Sequence, residues 1–260
     1  MSGKTKLVEA RNLQLTYHTR EVETLALKDI SFDVYEGEFL TIVGPSGCGK
    51  STVLSLIAGL LSPSSGEVRI GGEKVVQPHP QVAYMLQRDH LFDWRTIAQN
   101  VTIGLEVQKK CTPEARSYAC GLLQTYGLGG FLKHYPRQLS GGMRQKVALI
   151  RTLAVNPSIL ILDEPFSALD YQTRLSVSGE VADIIRQEKK TAILVTHDIS
   201  EALSLSDRVI VLSKRPATVK ATHEIRFGET YKTPLERRKA PVFQDYFDTI
   251  WKELDIDVHQ

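Results

Sequence analysis

Eight consecutive residues, Gly44-Pro45-Ser46-Gly47-Cys48-Gly49-Lys50-Ser51, fit the pattern G-x-x-x-x-G-K-[ST]. Glycines in such a stretch let the backbone curl until successive N–H groups point at phosphate oxygens. The apolar run Phe39-Leu40-Thr41-Ile42-Val43 precedes it, and a helix is expected from Lys50. The positive end of that helix then faces the same point. Lys50 reaches β- and γ-phosphates as a point charge, and the Ser51 hydroxyl is a donor suited to Mg²⁺. Thr52 is placed to support an α-phosphate. Cys48 contributes its backbone N–H. No base is paired with its thiol, so it is not a nucleophile. Its place at a helix N-terminus predicts a lowered pKa and a reactive thiol.

A second set of residues supplies acid groups. Ile159-Leu160-Ile161-Leu162 reads as a buried strand that ends on Asp163-Glu164. Strand ends are where α/β sheets bind ligands. Asp163 is placed to hold Mg²⁺ directly or through water, and Glu164 to polarise an attacking water. Alone, the pair reads as a strand followed by an acidic turn. With the phosphate loop, the expected reaction is in-line attack of water on a γ-phosphate, driven by positioning and electrostatics.

These residues need a scaffold. Leu7 to Leu15 and Leu27 to Val34 mix apolar and polar residues in near-alternation, as strands do. Phe39 to Val43, Glu67 to Ile70, Ile159 to Leu162, Thr191 to Thr196 and Arg208 to Leu212 read as further strands. Helices are expected over Lys50–Leu60, Pro113–Tyr126, Gly141–Val155, Tyr171–Glu188 and Ser200–Leu205. From about Arg88 to Asn156 the character is helical, like an insertion into the alternating core. The expected fold is α/β: a mostly parallel sheet core, an antiparallel β part at the N-terminus and an inserted helical subdomain. The chain reads as one domain over 1–260. Its core spans about 6–87 and 158–215, its helical subdomain about 88–157 and its C-terminal extension about 216–260.

The chain has 260 residues, with 32 Lys+Arg against 30 Asp+Glu. A net charge of +2 gives no electrostatic footprint for nucleic acid. No apolar run approaches the ~20 residues that a membrane helix needs. The polar start Met1-Ser2-Gly3-Lys4 does not support a signal peptide. Cys48, Cys111 and Cys120 form neither a metal spacing nor a disulfide framework, which suits a reducing compartment.

Leu139-Ser140-Gly141-Gly142-Met143 opens a helix ahead of the second carboxylate set. With the phosphate loop, it resembles the signature motif of ATP-binding cassette (ABC) ATPases. Gln87 after Tyr84-Met85-Leu86 resembles their Q-loop glutamine, and Ser167-Ala168-Leu169-Asp170 their D-loop. His197 after Ile193-Leu194-Val195-Thr196 resembles the switch histidine, and Tyr17 the aromatic that stacks on adenine. The likeness covers about residues 6–215. The wording around Gly44–Thr52, Gly141–Gln145 and Trp94 resembles nitrate/sulfonate/taurine-type importer ATPases, although Asp93 stands where those usually carry proline.

The resemblance implies a P-loop NTPase of the ABC ATPase fold with ATP and Mg²⁺ as cofactors. Lys50, Gln87, Glu164 and His197 are the implied catalytic residues. Tyr17, Gly44 to Thr52, Gln87, Ser140, Gly141, Gly142, Asp163 and Asp170 would bind nucleotide, and Ser51, Gln87 and Asp163 the metal. Ser140 to Gly142 would form a second anion nest that closes on the nucleotide of another copy in a head-to-tail homodimer. Transmembrane permease subunits would dock around Asp89–Asn100, and a solute-binding protein would act indirectly. The place is the cytoplasmic face of the plasma (inner) membrane, peripherally. Importers of a vitamin precursor, exporters and lipid-trafficking ATPases share the same cassette. Cassette proteins of DNA repair or translation usually carry a coiled-coil insertion or a second cassette, and neither is visible here.

Two readings stay open for Phe92 and Trp94: partner hot spot or core filler. His18, His79, His90, His134, His223 and His259 share no metal spacing and read as surface or loop residues. Arg237-Arg238-Lys239 reads as a solvated run. The amphipathic stretch from Phe243 to Trp251 reads as packing back on the core.

Overall fold

A computed structural model describes residues 5–18, 22–228 and 230–254. The readings of Met1-Ser2-Gly3-Lys4 and of His259 fall outside the described residues. The chain divides into two compact units, one drawn from Met1–His79 and Lys190–Gln260, the other Pro80–Lys189. The first unit starts with β1 (Lys6–His18), β2 (Glu23–Tyr35), β3 (Phe39–Val43), α1 (Lys50–Ile57), β4 (Ser65–Ile70) and β5 (Glu73–Lys74). The second holds β6 (Val82–Met85), α2 (Ile97–Val107), α3 (Pro113–Thr125), α4 (Gly141–Leu153), β7 (Ile159–Asp163) and α5 (Tyr171–Gln187). The first resumes with β8 (Thr191–Val195), α6 (Ile199–Leu205), β9 (Arg208–Leu212), β10 (Val219–Glu224), α7 (Pro234–Arg237) and α8 (Val242–Glu253).

In the first unit, β2-β1-β4-β5 form an antiparallel sheet. The alternating residues of β1 send Val8, Ala10, Leu13 and Leu15 inward. A separate run, β10-β9-β3-β8, has β3 parallel to both β8 and β9, with β10 antiparallel at the edge. All five residues of β3 and of β8 are buried, as expected of strands covered on both faces. Their continuous apolar character is therefore a consequence of position in the sheet.

Glu38, 3% exposed just before β3, meets Arg208 in a bidentate pair at 2.7 and 3.0 Å. The guanidinium also lies over the Tyr35 ring, 5.5 Å from its centroid. Arg208 Nε and Nη2 and both carboxylate oxygens are engaged, the condition under which a buried ion pair is tolerated.

Helix α1 ends at Ile57, short of the expected Leu60. Gly59 stops it with φ +73°, and a Cβ there would lie 2.2 Å from the Gln77 carbonyl oxygen. The chain after Pro216 carries more structure than its pattern shows. β10 pairs with β9, and α8 packs Phe243 and Ile250 into a cluster with Val43, Leu203 and Val211. The amphipathic stretch therefore packs on the core, as read from its spacing.

Two readings of this region are corrected. Arg237 does not belong to a solvated run. Its Nη1 donates to the carbonyls of Ser204 and Ser206 at 3.2 and 3.1 Å, and its guanidinium lies over the Phe227 ring. A cation thus meets the carbonyl end of α6, where the helix dipole is negative. His223 is a strand residue whose Nε2 meets Glu253 at 2.7 Å, not a surface or loop histidine.

In the second unit, β6 and β7 run parallel. Thr96 caps α2 in a reciprocal capping box with Gln99. Gly104 within α2 is required by packing, since a Cβ would approach Val155 to 2.7 Å. Among the described residues no helix is long and apolar enough to cross a membrane.

Candidate functional site

The phosphate loop lies in the first unit, between β3 and α1. Gly47 has φ +70° and Gly49 φ +123°, conformations that L side chains rarely adopt. At Gly49 a Cβ would also sit 2.8 Å from Leu27, so that glycine is needed twice over. The N-cap of α1 is Gly49, which makes no side-chain cap bond. Its N-terminal amides and positive dipole end thus face the loop, as an anion site requires.

The Lys50 side chain, 6% exposed, folds back across the loop and donates to the carbonyls of Gly44 and Pro45 at 2.8 and 3.0 Å. A buried ammonium held by carbonyl oxygens is a preorganised cation. The Tyr17 hydroxyl lies 3.1 Å from Thr52 Oγ1, so the sequence-read adenine and α-phosphate residues are neighbours. Arg215 Nη2 donates to the Gly47 carbonyl at 2.7 Å. Nothing in the spacing of the sequence connects Arg215 to this loop.

Cys48 corrects one expectation. Its side chain is 1% exposed, and its Sγ lies 2.9 Å from where a Cβ on Gly44 would sit. Burial pushes its thiol pKa up, outweighing the lowering by Lys50 and by the loop amides. The thiol is therefore inert rather than activated. Native protein treated with iodoacetamide at mild alkaline pH should label Cys48 at least about tenfold more slowly than the half-buried Cys111 and Cys120. Peptide mapping checks this, and equal labelling of all three would contradict it.

His197 also lies in the first unit. It follows β8, is exposed, and precedes α6. The neighbouring turn is closed by hydrogen bonds. Asp198 caps α6 by accepting the Glu201 N–H at 3.0 Å, and the Asp198 N–H donates to Thr196 Oγ1 at 3.1 Å.

The second unit gathers the remaining candidates. Asp163 ends β7, and its Oδ2 accepts from the Tyr84 hydroxyl at 3.0 Å. Glu164 has φ +45°, an uncommon conformation for a non-glycine residue. The surroundings hold that backbone. Ser167 Oγ donates to the Glu164 carbonyl at 3.0 Å, and Gln145 Nε2 donates to the Pro165 carbonyl. Gln87 Nε2 in turn donates to Ser167 Oγ at 3.2 Å. One serine thus links the Gln87 amide to the backbone of Glu164. Ser167 carries that role without any signal in its residue type.

Ser140 caps α4 by accepting the Met143 N–H at 3.3 Å. A Cβ on Gly142 would come within 2.7 Å of Val177, so Gly142 is the close-packing point of α4 on α5. Gly141 is half-buried and Ser140 exposed. Asp170 is the N-cap of α5. The Thr173 hydroxyl and N–H hold its carboxyl below the usual carboxylate range. Phe92 is half-buried and Trp94 is 74% exposed, with ring centroids 5.0 Å apart. Trp94 is therefore not a core filler, whereas Phe92 packs in part.

Among the described residues no group of three or more His, Cys, Asp or Glu could hold a metal. Mg²⁺ usually takes one or two protein oxygens and completes its shell with water and phosphate. The Asp163 carboxylate and the Ser51 hydroxyl are hard oxygen donors of that kind.

Comparison with known proteins follows the same lines. The family described as ABC transporter matches residues 27–167. YtlC of Bacillus subtilis, an uncharacterized ABC transporter ATP-binding protein, is 48% identical over 240 residues, 92% of each chain. NrtD of Synechocystis, a nitrate import ATP-binding protein, is 39% identical over 247 residues, 94% of this chain and 93% of that one. Among solved structures, a dimeric post-hydrolysis state of the ATP-binding cassette MJ0796 with ADP and Pi superposes with a TM-score of 0.72 and 32% identity. It covers 85% of this chain and 100% of that chain.

Proposed function

This chain belongs to the ABC transporter family, and from that premise we propose that it is the ATP-hydrolysing subunit of an importer for a small anionic solute. The observation that supports this best is the phosphate loop: two left-handed glycines, an uncapped helix end and a preorganised Lys50 ammonium. The nitrate import relative and the residues around Gly44–Thr52, Gly141–Gln145 and Trp94 favour a solute of the nitrate, sulfonate or taurine type.

The loop amides and Lys50 hold the phosphates, and Tyr17 takes the adenine. Ser51, Gln87 and Asp163 would hold Mg²⁺, which would supply positive charge to offset that of the β- and γ-phosphates. Glu164 accepts a proton from the attacking water, and His197 contacts the γ-phosphate. Gln87 reports the state of the site through Ser167. Ser140 to Gly142 and Asp170 serve the nucleotide of a second copy, so ATP closes a head-to-tail dimer and hydrolysis reopens it. The subunit works peripherally at the cytoplasmic face of the membrane. It docks on permease subunits through the Asp89–Asn100 surface, with a solute-binding protein acting indirectly.

The testing experiment is phosphate release from Mg-ATP by the purified chain, with and without EDTA, together with copurification from membranes with its permease. Metal-dependent hydrolysis and copurification are expected. A protein that binds no nucleotide, or never associates with a permease, would overturn the reading.

Trp94 provides a narrower test. Its exposure means that Trp94→Ala should change folding stability by no more than about 0.5 kcal/mol. Loss of a central aromatic anchor should weaken permease binding by roughly 30-fold or more. Thermal melts and a titration against detergent-solubilised permease separate the two effects. Unchanged binding would remove Trp94 from the docking surface.

A further inference from the structure

The segment after Gln87 is held by two arginines of one helix. Arg144 and Arg151 are seven residues apart on α4, two turns along the same face. Arg144 Nε meets Asp89 Oδ2 at 3.0 Å, and its Nη1 donates to the Leu139 carbonyl at 3.0 Å. Arg151 donates from Nη2 to the Asp89 carbonyl at 2.6 Å and from Nη1 to the His90 carbonyl at 2.7 Å. The other Asp89 oxygen accepts the Leu91 N–H at 3.1 Å. Gln87, Asp89, Gly141 and Arg144 line one cavity of about 390 Å³.

Asp89 is thus gripped at its carboxylate and at its backbone by the helix that Ser140 caps. Further along the same segment, the buried Asn100 accepts the Phe92 N–H at 2.7 Å and donates to the carbonyls of Phe92, Arg95 and Thr96 at 3.0–3.1 Å. Burial of the Arg151 guanidinium lowers its pKa, and Asp89 opposes that shift. A desolvated cation of this kind persists where its donors are matched, and its planar fork suits two adjacent carbonyls.

We propose that Arg151 is a positioning residue for ATP hydrolysis: with Arg144 it clamps Asp89 and His90 to the signature helix, so that Gln87 stays on Ser167 and the signature turn moves with the 87–96 segment. The proposal rests on the ATPase reading and adds to it a pair of residues outside the set assigned to nucleotide and metal. Arg151→Lys keeps the charge but cannot span both carbonyls. Asp89→Asn removes the ion pair to Arg144 and leaves both carbonyls in place, so it tests the clamp even where an Arg151 variant folds poorly.

The experiment measures hydrogen exchange of residues 88–92, the Kd for Mg-ATP, kcat and the melting temperature in wild type, Arg151→Lys and Asp89→Asn. Arg151→Lys should speed exchange at 88–92 and lower kcat about tenfold, with Kd changed less than about twofold. Asp89→Asn should shift kcat and exchange in the same direction by a smaller factor. Unchanged exchange at 88–92 would overturn the clamp. So would wild-type kcat in Arg151→Lys, or parallel losses of Kd, kcat and melting temperature. A wild-type protein that hydrolyses no ATP would sink the parent reading, and the exchange data would still decide the clamp.

Discussion

Glu164→Gln lowers the rate of ATP hydrolysis by about 10²–10⁴-fold, the usual contribution of a positioned general base. Binding of Mg-ATP stays within about twofold, because the glutamine retains shape and loses only the proton-accepting charge. The structural case lies in the backbone. Glu164 sits at φ +45°, and such a conformation costs of order 1–3 kcal/mol. Two contacts hold it there, Ser167 Oγ on the Glu164 carbonyl and Gln145 Nε2 on the Pro165 carbonyl. Rigid placement of a carboxylate just past the end of β7 is what a base needs to meet a water in line with a phosphate. Single-turnover phosphate release and equilibrium nucleotide binding check the two halves of the prediction. A variant that hydrolyses at the wild-type rate would remove Glu164 from the base role.

Lys50→Ala acts earlier, on binding. Lys50 is 6% exposed, and its ammonium is held over the loop by the Gly44 and Pro45 carbonyls. Removing one partner of a buried, hydrogen-bonded charge pair costs about 2–5 kcal/mol, so the Kd for ATP should rise by roughly 30-fold to several thousand-fold. The affinity for adenosine, which has no phosphates, should change little. Folding is expected to survive, since the loop conformation is set by Gly47 and Gly49. Equilibrium dialysis with both ligands separates the phosphate contact from general damage. Equal losses for ATP and adenosine would contradict the role given to Lys50.

Strong local signals in the sequence correspond to well-placed elements. The run Phe39 to Val43 is β3 from end to end because it is buried on both faces. Pro113 and Gly127 bracket α3 as capping chemistry predicts. The phosphate loop was legible for the same reason: its chemistry needs glycine where φ is positive and lysine where phosphate binds. What could not be read depends on distant partners. β6 is four residues long and becomes a strand by pairing with β7. Helix α2 contains Val101, Thr102 and Gly104, poor helix formers that packing overrides; its Thr96–Gln99 capping box was the available signal. The thiol of Cys48 depends on burial, which a motif does not carry. Arg215 on Gly47 and the arginines on Asp89 are contacts across 55 to 168 residues of chain that no spacing encodes.

The central claim is that ATP closes two copies of this chain on each other's nucleotide, with Ser140 to Gly142 completing the second half of each site. The most direct measurement is the solution mass of Glu164→Gln by sedimentation or light scattering, with and without Mg-ATP. The account predicts a monomer without nucleotide and a dimer with it, and a second substitution at Ser140 that keeps ATP binding but prevents the dimer. A Glu164→Gln protein that binds ATP yet stays monomeric, alone and when bound to its permease, would contradict it.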